Sequence, residues 1–168
     1  MILNSFWESL EGSAFSSAIA SSEWMFPTIE TLHVIAIVSV VGAIIIMDLR
    51  LLGLTSRNRL VTAIARDTLP LTWIAFACAV ITGLLLFVSK ATSYMINPYF
   101  LFKMGLLALA GLNMAFFHFV TWKTVAEWDG SVAVIPTAAK LAGLGSLIFW
   151  ALIVLCGRII GFTLGIYH

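Results

Sequence analysis

Apolar residues gather in four long runs along the chain, and short polar segments separate the runs. The runs cover residues 27–52, 69–89, 98–120 and 136–162. Each reaches the roughly 20 residues that an α-helix needs to cross the hydrocarbon core of a bilayer. A segment inside lipid must satisfy its own backbone hydrogen bonds, and the runs lack the alternation of a barrel strand. The pattern therefore predicts four membrane-spanning helices.

The first 25 residues follow a different pattern. Apolar side chains such as Phe6, Trp7 and Leu10 recur at helical spacing, with acidic residues and serines on the opposite side. The segment has neither the basic start nor the unbroken apolar core of a signal peptide. We predict that residues 1–25 form a short amphipathic helix on the membrane surface. Residues 26–168 then form an all-α, four-helix bundle.

Composition supports a membrane protein and excludes several functions. Charged residues make up 10% of the chain and apolar residues 61%, with a mean hydropathy of +1.07. A soluble domain carries about 25% charged residues. The sequence has no basic patch interleaved with aromatics, so no nucleic-acid partner is expected. It also lacks metalloprotease and phosphate-loop motifs, so we do not expect the chain to be an enzyme by itself.

The distribution of basic residues predicts the orientation. The connector of residues 55–68 carries three arginines, and Arg50 lies five residues before its start. Cytoplasmic loops are enriched in Lys and Arg, so this connector is expected in the cytoplasm. Both termini should then be periplasmic, in a bacterial inner membrane.

Ionisable residues within the spans fall at two depths. Glu30 and His33 lie one to two turns into the first span, Lys103 lies at a similar depth in the third, and Arg158 lies near the same end of the fourth. Charged groups at membrane depth need a partner or a function. We therefore predict that these four residues form a cluster at the outer end. A plain ion pair between Glu30 and Lys103 is the simpler alternative.

A second predicted cluster lies near the cytoplasmic end and contains Asp48, Arg50 and His118. Glu30 and Asp48 are 18 residues apart, which is five turns at 3.6 residues per turn, so both share one helix face. Together with a stripe on the third span, this phase predicts a polar seam between spans one and three. Asp48 and Arg50 could instead anchor the helix end among the lipid headgroups.

Glycines recur every fourth residue near the end of the fourth span, at Gly157, Gly161 and Gly165. Small residues at this spacing allow close contact between membrane helices. The face could support a homo-oligomer, a larger membrane complex or packing inside the bundle.

Several segments carry a family resemblance. They are F-P-T-I-E-T-L-H, M-D-L-R-L-L-G, I-T-G-L-L-L-F and F-L-F-K-M-G-L-L-A-L-A-G-L-N with a following F-H. In order and spacing they resemble a bacterial inner-membrane family of unknown function, over most of residues 26–118. More remotely, the histidine of span one and the lysine of span three resemble copper-resistance-D-like membrane domains and the haem-containing protoporphyrinogen oxidase of bacteria. The second likeness implies haem.

The leading functional hypothesis is a b-type haem near the outer face, used for electron transfer. His33 offers an axial nitrogen, while Lys103 and Arg158 offer cations for the propionates, with Glu30 beside them. The second axial ligand could be His33 of a second copy or one of several residues of the same chain: Met25, Met95, Met104 or His168. His33 and His118 are at opposite depths, about 20 Å apart along the membrane normal, so they cannot hold one iron.

Two other classes of function stay open. Protons or a metal ion such as copper could move along the ionisable residues, although few polar groups beyond Ser39, Thr82 and Asn113 lie between the two clusters. Alternatively, the chain could be a non-catalytic subunit that scaffolds a larger membrane complex.

Overall fold

The computed structural model describes residues 2–129 and 134–164, and it contains helices and turns without any strand in those ranges. Four helices are long and apolar enough to cross a membrane, which confirms the predicted all-α class and identifies a multi-pass membrane protein. Three of them are α3 (Met25–Leu51), α4 (Val61–Ser89) and α8 (Thr137–Thr163), and the remaining one, Pro98–Trp128, begins with α6 (Pro98–Phe116). The shorter helices are α1 (Ile2–Glu11), α2 (Ala14–Ser21), α5 (Ala91–Ile96) and α7 (Val125–Trp128).

Helix α4 begins eight residues earlier than the sequence pattern predicts. The carboxylate of Asp129 accepts hydrogen bonds from the backbone N–H of Val61 at 2.5 Å, from the N–H of Thr62 at 3.2 Å and from the Thr62 hydroxyl. These donors have no partner within the helix, so the distant carboxylate caps its N-terminus. Arg66, predicted in a connector, consequently lies within α4.

The packing order of the spans differs from the predicted seam between spans one and three. Helix α3 packs along α4 and also against α8, whereas α6 packs principally on α8. At Gly143 of α8, an added Cβ would lie 3.2 Å from the carbonyl oxygen of Asp48 and 3.3 Å from Cβ of Leu51. Asn113 of α6 donates to the carbonyl of Ala142 at 2.9 Å. The expected seam is therefore wrong, because α8 occupies the position between the first and third spans.

The third span does not remain an ideal α-helix to its end. After α6 the chain continues through a π-helical turn, Phe117–Thr121, and a 3₁₀ turn, Trp122–Thr124, into α7. A π-helical turn changes the angular register of the residues that follow it. The stripe that the sequence predicts from Lys103 to His118 is therefore interrupted before its last residue.

The N-terminal segment forms two short helices, where the sequence pattern predicts one. Ser13 accepts a hydrogen bond from the N–H of Ser16 at 3.2 Å and caps α2, which separates it from α1. The hydroxyl of Ser16 donates to the carbonyl of Val88 at 3.0 Å, and the carboxylate of Glu11 accepts from the N–H of Thr92 at 2.9 Å. Both helices thus contact the corner between α4 and α5.

We name the two ends of the spans after residues of α3. The His33 end also carries α5 and Lys103, and the Asp48 end carries α7. An apolar core cluster lies at the Asp48 end and contains Leu51, Val61, Phe117, Trp128, Ile135, Ala139 and Ala142. Towards the His33 end, a smaller cluster joins α6 to α8 through Leu106, Ile153 and Cys156. Many other apolar side chains on the spans are exposed, as expected for lipid-facing positions.

Candidate functional site

The imidazole of His33 is half-buried and packs on α4. Its Nδ1 lies 2.9 Å from the hydroxyl oxygen of Thr82. That hydroxyl donates its own proton to the carbonyl of Cys78 at 2.7 Å, so the oxygen accepts from His33, and we assign the ring proton to Nδ1. The backbone carbonyl of Ala79, on the same turn of α4, also interacts with the ring. In this tautomer the neutral imidazole keeps a lone pair on Nε2.

The ring of His33 lies directly against the backbone of Gly83. A Cβ at that position would lie 3.0 Å from Cε1, 3.6 Å from Nδ1 and 3.8 Å from Nε2 of the imidazole. A 3.0 Å contact is tighter than most Cβ contacts in proteins, so a side chain here would require the ring to shift, and glycine leaves the ring its present position. Thr82 and Gly83 thus position His33 together. Thr82 sets the tautomer of the imidazole, and Gly83 provides the space for the ring.

Lys103 lies on α6, and its positive charge acts on the imidazole of His33. Its side chain is half-buried on α6, and its Nζ lies 3.9 Å from the position that a Cβ on Gly157 of α8 would occupy. In the part of the chain that the structure describes, Lys103 forms no ion pair with an acidic side chain.

Glu30 and Arg158, the other members of the predicted outer cluster, face different neighbours. Glu30 is exposed and acts on Tyr94 of α5: burial raises the pKa of the Tyr94 hydroxyl, and the Glu30 carboxylate raises that pKa further. Arg158 is exposed, and its guanidinium carbon lies 4.4 Å from the centre of the Phe162 ring. Among the described residues, no ion pair joins Glu30 to Lys103.

The predicted cluster at the Asp48 end is not assembled. Asp48 is buried and accepts a hydrogen bond from Ser146 of α8. Arg50 is also buried, but its Nε donates to the carbonyl of Arg59 at 2.9 Å. Nδ1 of His118 lies 3.2 Å from the carbonyl oxygen of Met114, and the imidazole stacks on the ring of Trp122 with 6.0 Å between the ring centroids. The three residues therefore contact different neighbours and do not form one cluster.

The described residues contain no group of three or more His, Cys, Asp or Glu side chains placed to hold a metal ion. From the sequence, Thr82 is predicted only as a polar group between the two clusters, and neither Thr82 nor Gly83 is predicted as a partner of His33, although the segment I-T-G-L-L-L-F contains both. Sequence reasoning also missed Ser146 and Tyr94, which are unremarkable in a hydropathy pattern. His168 and Gly165 lie outside the described residues.

Comparison with known proteins identifies a family without an assigned activity. The model of a family of unknown function (DUF6644) matches residues 11–163. No curated protein and no solved structure matches the chain. The resemblance to an uncharacterised family is thus supported, whereas the remoter likeness to copper-resistance-D-like domains and to protoporphyrinogen oxidase is not.

Proposed function

Because the chain belongs to the DUF6644 family, whose function is unknown, we propose its function from its own residues: it binds a b-type haem at the His33 end and transfers electrons. His33 is the axial ligand in this proposal. Lys103 is the cation for a haem propionate.

The proposal rests on the tautomer and the orientation of the His33 imidazole. Metal-ligating histidines donate their second ring N–H to a fixed acceptor, which sets the tautomer and the orientation of the ring. His33 has this arrangement, since Nδ1 donates to Thr82, whose hydroxyl is held by the carbonyl of Cys78. The lone pair of Nε2 is then available to a metal.

Haem fits the donor set better than a bare metal ion does. A tetrahedral or octahedral ion needs three or more protein ligands, and the described residues hold no such group. Haem brings four nitrogen ligands of its own and requires one or two axial ligands from the protein. A single oriented imidazole therefore suffices.

The cations near His33 also support haem. The half-buried ammonium of Lys103 has no acidic side-chain partner among the described ion pairs, and a propionate carboxylate would neutralise it. Arg158 is exposed at the same end and can pair with a second carboxylate. Glu30 forms no ion pair with Lys103 among the described residues, which leaves the ammonium free for an anionic ligand.

The second axial position has several candidates. Met25 and Met104 are exposed and Met95 is half-buried at this end of the spans, and His33 of a second copy is a further one. His118 is excluded, because it lies at the Asp48 end on the stack with Trp122. A haem at this end would be held by His33, and one of these residues could complete the ligands of its iron.

The experiment is an absorption spectrum of the purified protein, oxidised and reduced, from cells supplied with haem precursor. We expect a Soret band that His33→Ala abolishes and that the matched control His118→Ala retains. Colour that persists in a folded His33→Ala variant contradicts the ligand assignment. A colourless wild-type protein that does not take up added haemin contradicts haem binding altogether.

The same samples separate the two other candidate functions. A colourless protein that moves protons or copper in liposomes would favour transport. The structure gives a relay little support, because Ser39 and Thr82 donate to carbonyls of their own helix and Asn113 donates to Ala142. A colourless, inactive protein that co-purifies with membrane partners would favour a scaffold.

A further inference from the structure

The carboxyl group of Asp48 is enclosed at the contact between α3 and α8. Only 6% of the residue is exposed. Helix α8 packs closely on the backbone of Asp48, since a Cβ on Gly143 would lie 3.2 Å from its carbonyl oxygen, and the carboxyl oxygen Oδ2 is itself buried. Ser146 donates one hydrogen bond to the carboxyl group, and within the described residues the oxygen Oδ2 has no hydrogen-bond partner.

The charged residues on the elements around Asp48 do not neutralise it. Arg50 directs its Nε to the carbonyl of Arg59. Arg66 of α4 and Lys140 of α8 are exposed side chains, and His118 interacts with Met114 and Trp122. The ion pair found among the described residues joins Arg59 to Asp67 at 2.6 Å and does not involve Asp48.

An ionised carboxylate without a cation is strongly unfavourable in a water-free interior. Either a metal cation or a proton can remove its charge. A hard metal cation would require several oxygen ligands, and within the described ranges Ser146 is the side chain that interacts with the carboxyl group. A proton requires no coordination shell and binds directly to the carboxyl oxygen.

We propose that Asp48 is a proton-binding site: Oδ2 carries a proton taken from water, and the group is a neutral carboxylic acid that accepts a hydrogen bond from Ser146. The site is independent of the proposed haem, because it stands on α3 fifteen residues from His33, roughly 20 Å along the helix at 1.5 Å per residue. It gives the membrane-embedded part of the chain an acid at the end opposite to His33.

Infrared spectroscopy of the purified protein at neutral pH tests this site. We expect a carbonyl-stretch band of a protonated carboxylic acid that shifts in D₂O and disappears in Asp48→Asn, an uncharged isostere that should leave the fold intact. Glu30→Gln is the matched control and should retain the band. Ser146→Ala should move the band to higher frequency, because the carbonyl loses a hydrogen bond.

Three results contradict the proposal. They are a wild-type spectrum without the band, a band that persists in Asp48→Asn, and a band that is lost when sodium is added at constant pH. The last result would assign the site to a metal cation. None of these measurements depends on haem, so the two proposals fail separately.

Discussion

His33 and Thr82 form a hydrogen bond of 2.9 Å between α3 and α4. The hydroxyl of Thr82 cannot donate to the imidazole while it donates to the carbonyl of Cys78 at 2.7 Å. The hydroxyl oxygen of Thr82 must therefore accept from His33, which places the imidazole proton on Nδ1. The tautomer of His33 thus depends on a residue 49 positions away in the sequence.

Replacement of Thr82 by valine tests this dependence. The variant keeps the shape of the side chain but removes the acceptor, so the imidazole loses its fixed tautomer. Loss of such a partner typically weakens metal binding by about 10- to 100-fold, and we expect a weakening of that order in haemin titrations. Thr82→Ser is the control and should bind haem like the wild type. Unchanged affinity in Thr82→Val would show that the hydrogen bond does not orient a ligand.

Replacement of Gly83 by alanine should displace the ring of His33. The added Cβ would lie 3.0 Å from Cε1, whereas an added Cβ at Gly42 of α3 would have no neighbour within 4 Å. Alanine stabilises a helix by up to about 1 kcal/mol relative to glycine, so Gly42→Ala should be neutral or stabilising and retain haem. Gly83→Ala should lose haem or show a shifted Soret band. Equal spectra and equal thermal stabilities for the two variants would contradict the claim that Gly83 leaves space for the imidazole of His33.

Asp129 should contribute more to stability than another aspartate near the same helix end. Its carboxylate accepts from two backbone N–H groups and one hydroxyl at the start of α4. Removal of such a cap reduces stability by about 1–2 kcal/mol. Asp67 pairs with Arg59 with both side chains more than half exposed, and an exposed pair contributes roughly 0–1 kcal/mol.

Detergent unfolding of Asp129→Ala and Asp67→Ala should thus show the larger loss for Asp129. The opposite order would mean that the cap does not define the start of α4.

Tyr94 should ionise at unusually high pH. Burial raises its pKa, and the carboxylate of Glu30 raises it further, since a nearby negative charge opposes formation of the phenolate. Glu30→Gln should therefore lower the pKa of Tyr94 towards the ordinary value. The measurement is tyrosinate absorbance during an alkaline titration, with Tyr94→Phe subtracted to isolate this residue. If the pKa of Tyr94 does not change in Glu30→Gln, the carboxylate of Glu30 does not act on the Tyr94 hydroxyl.

The sequence predicts the spans well, because hydropathy over about 20 residues reports directly on the bilayer. It does not predict the start of α4, since the cap comes from Asp129 at a separation of 68 residues. It also does not predict the neighbours of each span. The shared face of Glu30 and Asp48 was evident from helical phase, but phase alone could not show that α8 lies beside α3.

The candidate site was predictable in part. A histidine and a lysine at matched depth are rare within membrane spans, and in the structure the charge of Lys103 acts on His33. The partners Thr82 and Gly83 are small residues that occur in many membrane helices, so only the packing of α3 on α4 reveals their role. The cluster expected around His118 depended on an uninterrupted α-helix, and the π-helical turn removes that condition.

Haem content per chain is the most direct test of the central claim, that His33 is presented as a ligand. We expect stoichiometric haem, measured by a pyridine haemochrome assay, in the wild type and in His118→Ala, and almost none in a folded His33→Ala variant. Equal haem content in all three proteins, or none in the wild type after reconstitution with haemin, would contradict the account.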